Sequence, residues 1–416
     1  MTVLQIASLL IVLAAGFGAV NYLFLKLPQA IGILVVALFA SLAALGLDRL
    51  APGLGIAAEL RGFVAGIELS EALLEGMLGL LLFAGALHVK LEELWAQAGA
   101  VLAMATLGVA LSVAVVGAGF SWLTGMPLLA ALVFGAIVSP TDPVAVLGVL
   151  REANLQKSLE TKIAGESLFN DGVAYVVFLI LAGLAFPAGE SQATGFGAAA
   201  LLFVREAGGG ALLGAALGWL TFRVMRRIDD YGLEVLLTLA LAFGGYELAI
   251  WLHVSAPIVA VVAGLLIGHV GMRDGMGEET RAHVDAFWRM IDEILNAILF
   301  LLIGIEVFAL AFEAAWLPAL AGGIALALAG RLAAVAVPIL LLRPFRGFSA
   351  GAIPIMTWGG LKGGISVALA LSLPESEWKP LILAATYVVV VFSITVQGLT
   401  VAPLARRIGR QPELPR

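Results

Sequence analysis

The chain has 416 residues, 62% of them hydrophobic and only 12% charged, with a mean hydropathy of +1.07; a soluble domain carries about twice that share of charge. This is a membrane-embedded composition, and it leaves no stretch for a separate soluble domain. The net charge of -6 is scattered without a basic block, which excludes a nucleic-acid partner, and the absence of cysteine excludes disulfides, thiolate metal sites and a cysteine nucleophile.

From the N-terminus, MTVLQIASLLIVLAAGFGAVNYLFL lacks the opening Lys/Arg of a signal peptide and is too long for its apolar core, so it reads as a retained first span. Stretches of about 20 apolar residues then recur through the chain and predict about thirteen spans, near 2–25, 28–47, 72–90, 96–121, 127–150, 163–187, 197–222, 232–251, 255–271, 286–312, 316–342, 348–373 and 378–403. An odd number sets the termini on opposite sides. With the C-terminus in the cytoplasm, most loop Lys and Arg fall inside, among them Arg151, Lys157, Arg223, Arg226, Arg227, Arg406 and Arg407, while Arg49, Arg61 and Lys379 fall outside. That asymmetry predicts N-out, C-in.

Two spans are interrupted. In the fifth, SPTDPVAV places Pro140 and Pro143 around Thr141 and Asp142. Each proline lacks the N–H that would bond the carbonyl four residues back, freeing those of Ala136 and Ser139. In the twelfth, GGLKGG surrounds Lys362 with glycine and has little reason to stay helical. The interruptions lie an odd number of spans apart, so the two segments run in opposite directions, as in an inverted repeat whose discontinuous helices cross near the midplane. Asp142 and Lys362 then carry the signs needed to offset opposed helix ends.

Between the interruptions lies GESLFNDG, 165–172, where Glu166, Ser167, Asn170 and Asp171 fall within an arc of about 140° on one helical face. Two carboxylates at membrane depth are costly unless they have a task. Arg331, near the centre of the eleventh span, cannot become neutral and calls for a buried carboxylate, Glu166 or Asp171 by depth, unless it snorkels to the surface. Glu166 reads equally as a fixed partner of Lys362 or Arg331 and as a cation ligand. Ser167 and Asn170 also fit as hydrogen-bonding glue between helices. Asp171 is the carboxylate suited to hold a proton or a hard cation in turn. Arg205 and Glu206 read as a local pair at a helix end, and Asp292, Glu293 and Glu306 as residues solvated at the membrane interface.

SPTDPVAV, GESLFNDG and WGGLKGGISVALAL, in that order, make the chain resemble the monovalent cation:proton antiporters of the sodium/hydrogen exchanger (NhaP-like) family over nearly its whole length. The resemblance implies an all-α polytopic membrane protein with inverted-topology repeats and two crossed discontinuous helices, assembled as a homodimer. It implies dimerisation-domain helices in 1–95 and, after a linker, in 191–312, core-domain helices in 96–190 and 313–404, and a short cytoplasmic tail at 405–416. It further implies Asp171 as the carboxylate that binds the ion and the proton, with Ser167 and the backbone at Thr141 as ligands. Asp142 and Arg331 match charge-compensating positions, and Glu166 and Asn170 match residues tied to a basic side chain in the second broken helix.

Two departures stand out. That basic side chain is commonly Arg, where this chain has Lys362, and LLFAGAL has Ala84 where these exchangers often carry glutamate. The expected activity is exchange of sodium, or lithium, for protons in the cell membrane, one for one because Asn170 cannot titrate, with no cofactor beyond the transported ions. Potassium exchange on the same scaffold is the nearest rival. A gated cation channel and an intramembrane hydrolase rank behind; the hydrolase lacks a membrane-depth histidine to serve Ser139 or Ser167.

Overall fold

The computed structural model describes residues 3–50, 77–142, 157–186, 196–308, 310, 313–344, 347–349 and 351–408. The second half of the fifth predicted span from Pro143, the start of the third, Arg61, Arg151 and the end of the tail lie outside the described residues. The fold is helical. Its elements are α1 (Val3–Val20), α2 (Gln29–Leu50), α3 (Leu78–Leu87), α4 (Leu91–Thr124), α5 (Leu128–Ile137), α6 (Lys157–Ala185), α7 (Ala200–Met225), α8 (Tyr231–Trp251), α9 (Ala256–Leu266), α10 (Glu278–Ile305), α11 (Leu317–Leu342), α12 (Ala352–Trp358), α13 (Gly364–Leu371) and α14 (Lys379–Ile408). Each of the predicted spans matches one of these helices except the twelfth, which holds both α12 and α13, and eight described helices are long and apolar enough to cross a membrane.

Local chemistry explains several boundaries. Asp230 caps α8 by accepting from the Leu233 N–H at 2.8 Å, Ser255 caps α9 ahead of Pro257, and Gly125, at φ 73°, ends α4 in the left-handed conformation that a side chain disfavours. Wider π turns interrupt α4 at Met104–Gly108 and α14 at Ser393–Gln397. Such turns redirect side chains within a helix and are frequent near functional sites.

Large apolar side chains face outward, and several charged ones lie inside. Phe39, Trp122, Leu212 and Trp251 are exposed, whereas Glu166, Asp171, Arg331 and Lys362 are buried. This is the distribution expected where the surrounding solvent is lipid. Helix α4 packs against α5 and α11; α6 lies on α5 and α4, and α14 lies on α11 and α13. On the other side α9 joins α3, α7 and α8, while α10 packs on α2 and α1.

Two expectations are corrected here. Arg205 and Glu206 lie not at a helix end but in a π turn, Val204–Gly208, in the middle of a helix. The extra residue of that turn leaves the Glu206 carbonyl accepting from the Ser255 N–H at 3.1 Å, tying α7 to α9. Glu306 is not solvated: it is only 2% exposed, because the short turn Glu306–Phe308 that follows α10 packs against α2.

The closest approach of α4 and α5 depends on Gly135, where a Cβ would stand 2.6 Å from the Val113 carbonyl oxygen. Gly135→Ala must push two helix backbones apart, so it should destabilise the protein by about 1–3 kcal/mol, read as a lower unfolding midpoint in detergent.

Candidate functional site

The interruptions in the fifth and twelfth spans meet. The Asp142 N–H donates to the Leu361 carbonyl at 2.8 Å, a main-chain bond from one break to the other. The Lys362 Nζ donates to the carbonyls of Ser139 at 3.0 Å and Pro140 at 3.2 Å, at the end of α5. Ala136 O, the other carbonyl exposed by the prolines, accepts from the Ser139 backbone N–H and hydroxyl. In the reverse direction, Asp142 lies beside the start of α13, where a Cβ on Gly363 would come within 2.6 Å of its carboxylate. The cation therefore covers the negative end of one half-helix and the anion stands at the positive end of the other.

Helix α6 supplies the face opposite these breaks. The Thr141 backbone N–H donates to Asn170 Oδ1 at 3.4 Å, Asn170 Nδ2 donates to Thr141 Oγ1 at 2.8 Å, and the Thr141 and Ser167 hydroxyls are bonded at 2.9 Å. Thr141, Ser167, Asn170 and Asp171 are all buried. Asp171 stands apart from the others, since its Oδ1 has no hydrogen-bond partner among the described residues. It lies within electrostatic range of both Asp142 and Lys362. A carboxylate oxygen left open in a water-poor place is the group on which a proton or a small cation can be taken up.

Glu166 and Arg331 form a two-pronged ion pair: Nη1 donates to Oε1, and Nη2 to Oε2 at 2.8 Å. The third edge of the guanidinium, Nε, donates to the Met356 carbonyl at 3.1 Å in the last turn of α12. Snorkelling is thereby excluded for Arg331. Of the two partners considered for Glu166, the contact is made by Arg331 on α11, not by Lys362 in the second broken helix, and Asn170 is engaged by Thr141 instead. Both Glu166 oxygens face the guanidinium. Gly360 makes room for it, because a Cβ there would collide with the Arg331 side chain.

Sequence reasoning missed the support behind Lys362. The π turn of α14 brings Ser393 Oγ to accept from the Lys362 backbone N–H at 2.9 Å, and Gln397 Nε2 donates to the Trp358 carbonyl at 2.9 Å. These two residues satisfy backbone groups that the interruption leaves bare. SITVQ carries no local signal of a widened turn; only its polar residues inside an otherwise apolar span distinguish it. Ala84, also buried, sits on α3 and offers no side-chain oxygen.

Residues 6–407 match the family model for the transmembrane sodium/hydrogen exchanger. The chain is 48% identical to the Na(+)/H(+) antiporter NhaP of Pseudomonas aeruginosa, covering 97% of each chain, and 34% identical to the Na(+)/H(+) antiporter NhaH of Halobacillus aidingensis, covering 92% of this chain and 93% of the relative. Two structures of the sodium proton antiporter MjNhaP1 from Methanocaldococcus jannaschii, 17% identical, share the fold with TM-scores of 0.74 and 0.76 over 98% and 100% of this chain and 99% and 100% of theirs.

The Glu166–Arg331 pair carries its own prediction. Arg331→Met alone strands a buried carboxylate and should cost about 3–5 kcal/mol, whereas Glu166→Gln combined with Arg331→Met should recover much of that loss. Unfolding midpoints of the single and double variants measure it; additive losses would mean that the two residues do not act as a unit.

Proposed function

The chain belongs to the sodium/hydrogen exchanger family, and on that footing we propose that it exchanges sodium, and lithium with it, for protons across the cell membrane. The observation that carries this reading is the open oxygen of Asp171. Every other member of the polar stripe on α6 is spoken for: Glu166 by Arg331, Ser167 by Thr141, and Asn170 by Thr141 twice. Among the described residues, Asp171 alone of this stripe keeps an unclaimed acceptor.

In this reading Asp171 binds a proton or a dehydrated cation, never both, and Ser167 with the backbone at Thr141 completes the ion's surroundings. Competition for one carboxylate is sufficient to couple the two fluxes. When the site is filled its charge is neutralised and it can cross; when empty it is held back by the cost of carrying a bare charge through a dry region. Asp142, Lys362 and Arg331 do not move ions but keep the helix ends and Glu166 neutralised. Asn170 is an amide engaged by Thr141, so one proton balances one sodium ion and exchange is electroneutral. A carbonyl or water stands in for the side-chain oxygen that Ala84 lacks.

The rest of the assembly follows the same reading. The helices α4–α6 and α11–α14 form a core that moves as a body against α1–α3 and α7–α10, which make the homodimer contact, with the N-terminus outside and the C-terminus in the cytoplasm. The most extensive packing of most of these helices is with others of their own set, which supports it.

Asp171→Asn should abolish sodium-driven proton movement in proteoliposomes while leaving folding and dimerisation intact; retained exchange would remove Asp171 from the centre of the mechanism. In the same vesicles a valinomycin-set membrane potential should leave the rate and extent of exchange unchanged, and sensitivity to it would refute the one-for-one ratio. Dequenching of a pH gradient by sodium, lithium and potassium in turn identifies the ion, with potassium preference overturning the sodium assignment.

A further inference from the structure

A second carboxylate is buried away from the Asp171 site. Glu306 follows the last turn of α10, is buried, and leaves Oε2 without a hydrogen-bond partner among the described residues. Across from it on α14, Tyr387 lies within electrostatic range of Glu306, and its hydroxyl is likewise buried and without a partner. The hydroxyl of the preceding Thr386 is in the same condition. Around them is a continuous apolar cluster that includes Leu34, Ala37, Leu299, Ile303, Ile305, Val307 and Phe308.

The charged surroundings are sparse. From α2, the residues against this corner are Leu34, Ala37 and Ser41, the last donating its hydroxyl to the Gly304 carbonyl at 3.1 Å. From α14 the titratable group is Tyr387. No ionised side chain among the described residues offsets a charge on Glu306; burial is the influence that acts on it. A bare carboxylate in such a place costs several kcal/mol unless it takes up a proton or a cation. The oxygens at hand are too few to replace the hydration of a metal ion, which leaves the proton.

The position gives that proton a consequence. On this seam α10 and α2 touch the broken helix and α14 directly: a Cβ on Gly364, at the start of α13, would meet the Leu299 side chain, and one on Gly398 would lie 2.9 Å from Ile31. Glu306 lies in the same apolar cluster as these contacts, so a movement of one helix set against the other disturbs its surroundings. We propose that Glu306, between Ile305 and Val307 of the apolar cluster that also holds Tyr387, is a second proton-binding carboxylate where α10 and α2 meet α13 and α14, and that its protonation permits sliding there and so sets the alkaline limit of exchange. Protonated, the seam is neutral and apolar throughout. Deprotonated, it holds an uncompensated charge that must drag water along with it.

The inference rests on the exchange reading above, and its test is separable from it. In proteoliposomes assayed across pH, Glu306→Gln, which mimics the protonated acid permanently, should keep exchange but move the alkaline limb upward by about half a pH unit or more. The acid limb, where protons displace sodium from Asp171, should stay in place. Tyr387→Phe, which removes a polar hydroxyl from the same cluster and leaves the surroundings more apolar, should move the alkaline limb in the same direction by less. Infrared titrations of the Asp171→Asn protein with and without Glu306→Gln should differ by one buried carboxylic-acid stretch, the remaining buried acid without a hydrogen-bond partner among the described residues being Glu234. Alkaline limbs coinciding with the parent's in both variants, or a carboxyl stretch unaffected by Glu306→Gln, would overturn the proposal. Should Glu306→Gln fail to fold, Tyr387→Phe decides it alone. Absence of exchange in the parent protein would instead defeat the antiport reading.

Discussion

At the crossing, the ammonium of Lys362 rests on the carbonyls of Ser139 and Pro140 while the carboxylate of Asp142 stands beside the first turn of α13. Helix ends in water find partners at no cost, but ends that stop halfway through a bilayer do not. A half-helix such as α5 or α13 can exist at this depth only if something closes its open carbonyls or amides. Here each break supplies the charge that the other requires. Remove either charge and both half-helices lose their reason to stop where they do.

That arrangement decides what α6 can do. With Lys362 committed to carbonyls, Glu166 finds its cation on α11, where Arg331 also reaches the Met356 carbonyl and so joins the end of α12 to α6. Thr141, held in the unwound segment by the Asp142–Leu361 bond next to it, presents both its N–H and its hydroxyl to Asn170. The stripe on α6 is thus satisfied everywhere except at Asp171. Its open oxygen is a consequence of how thoroughly its neighbours are bound.

The broad plan was legible in the sequence because it rests on local signals. Apolar stretches of bilayer length mark the spans, proline and glycine mark the interruptions, and the period of a helix aligns Glu166, Ser167, Asn170 and Asp171 without any tertiary knowledge. Partner choice was not legible. That Glu166 meets Arg331 and not Lys362 depends on which helix lies beside α6, a contact between residues 165 positions apart. The roles of Ser393 and Gln397 depend on a widened turn that no composition announces, and Glu306 looks like an interfacial residue because distance along a span reveals depth but not which helix packs against it.

The Asp142–Leu361 hydrogen bond joins main chain to main chain, and main chain cannot swing aside as a side chain can. Reinforced by the lysine bridge, it makes the two unwound segments a single welded joint. A pore that opened by parting the half-helices would have to tear that joint on every cycle. While that bond and the lysine bridge hold, the two unwound segments can change place only as one piece, like a keystone shifted together with its arch, and the groups around Asp171 then keep their mutual distances.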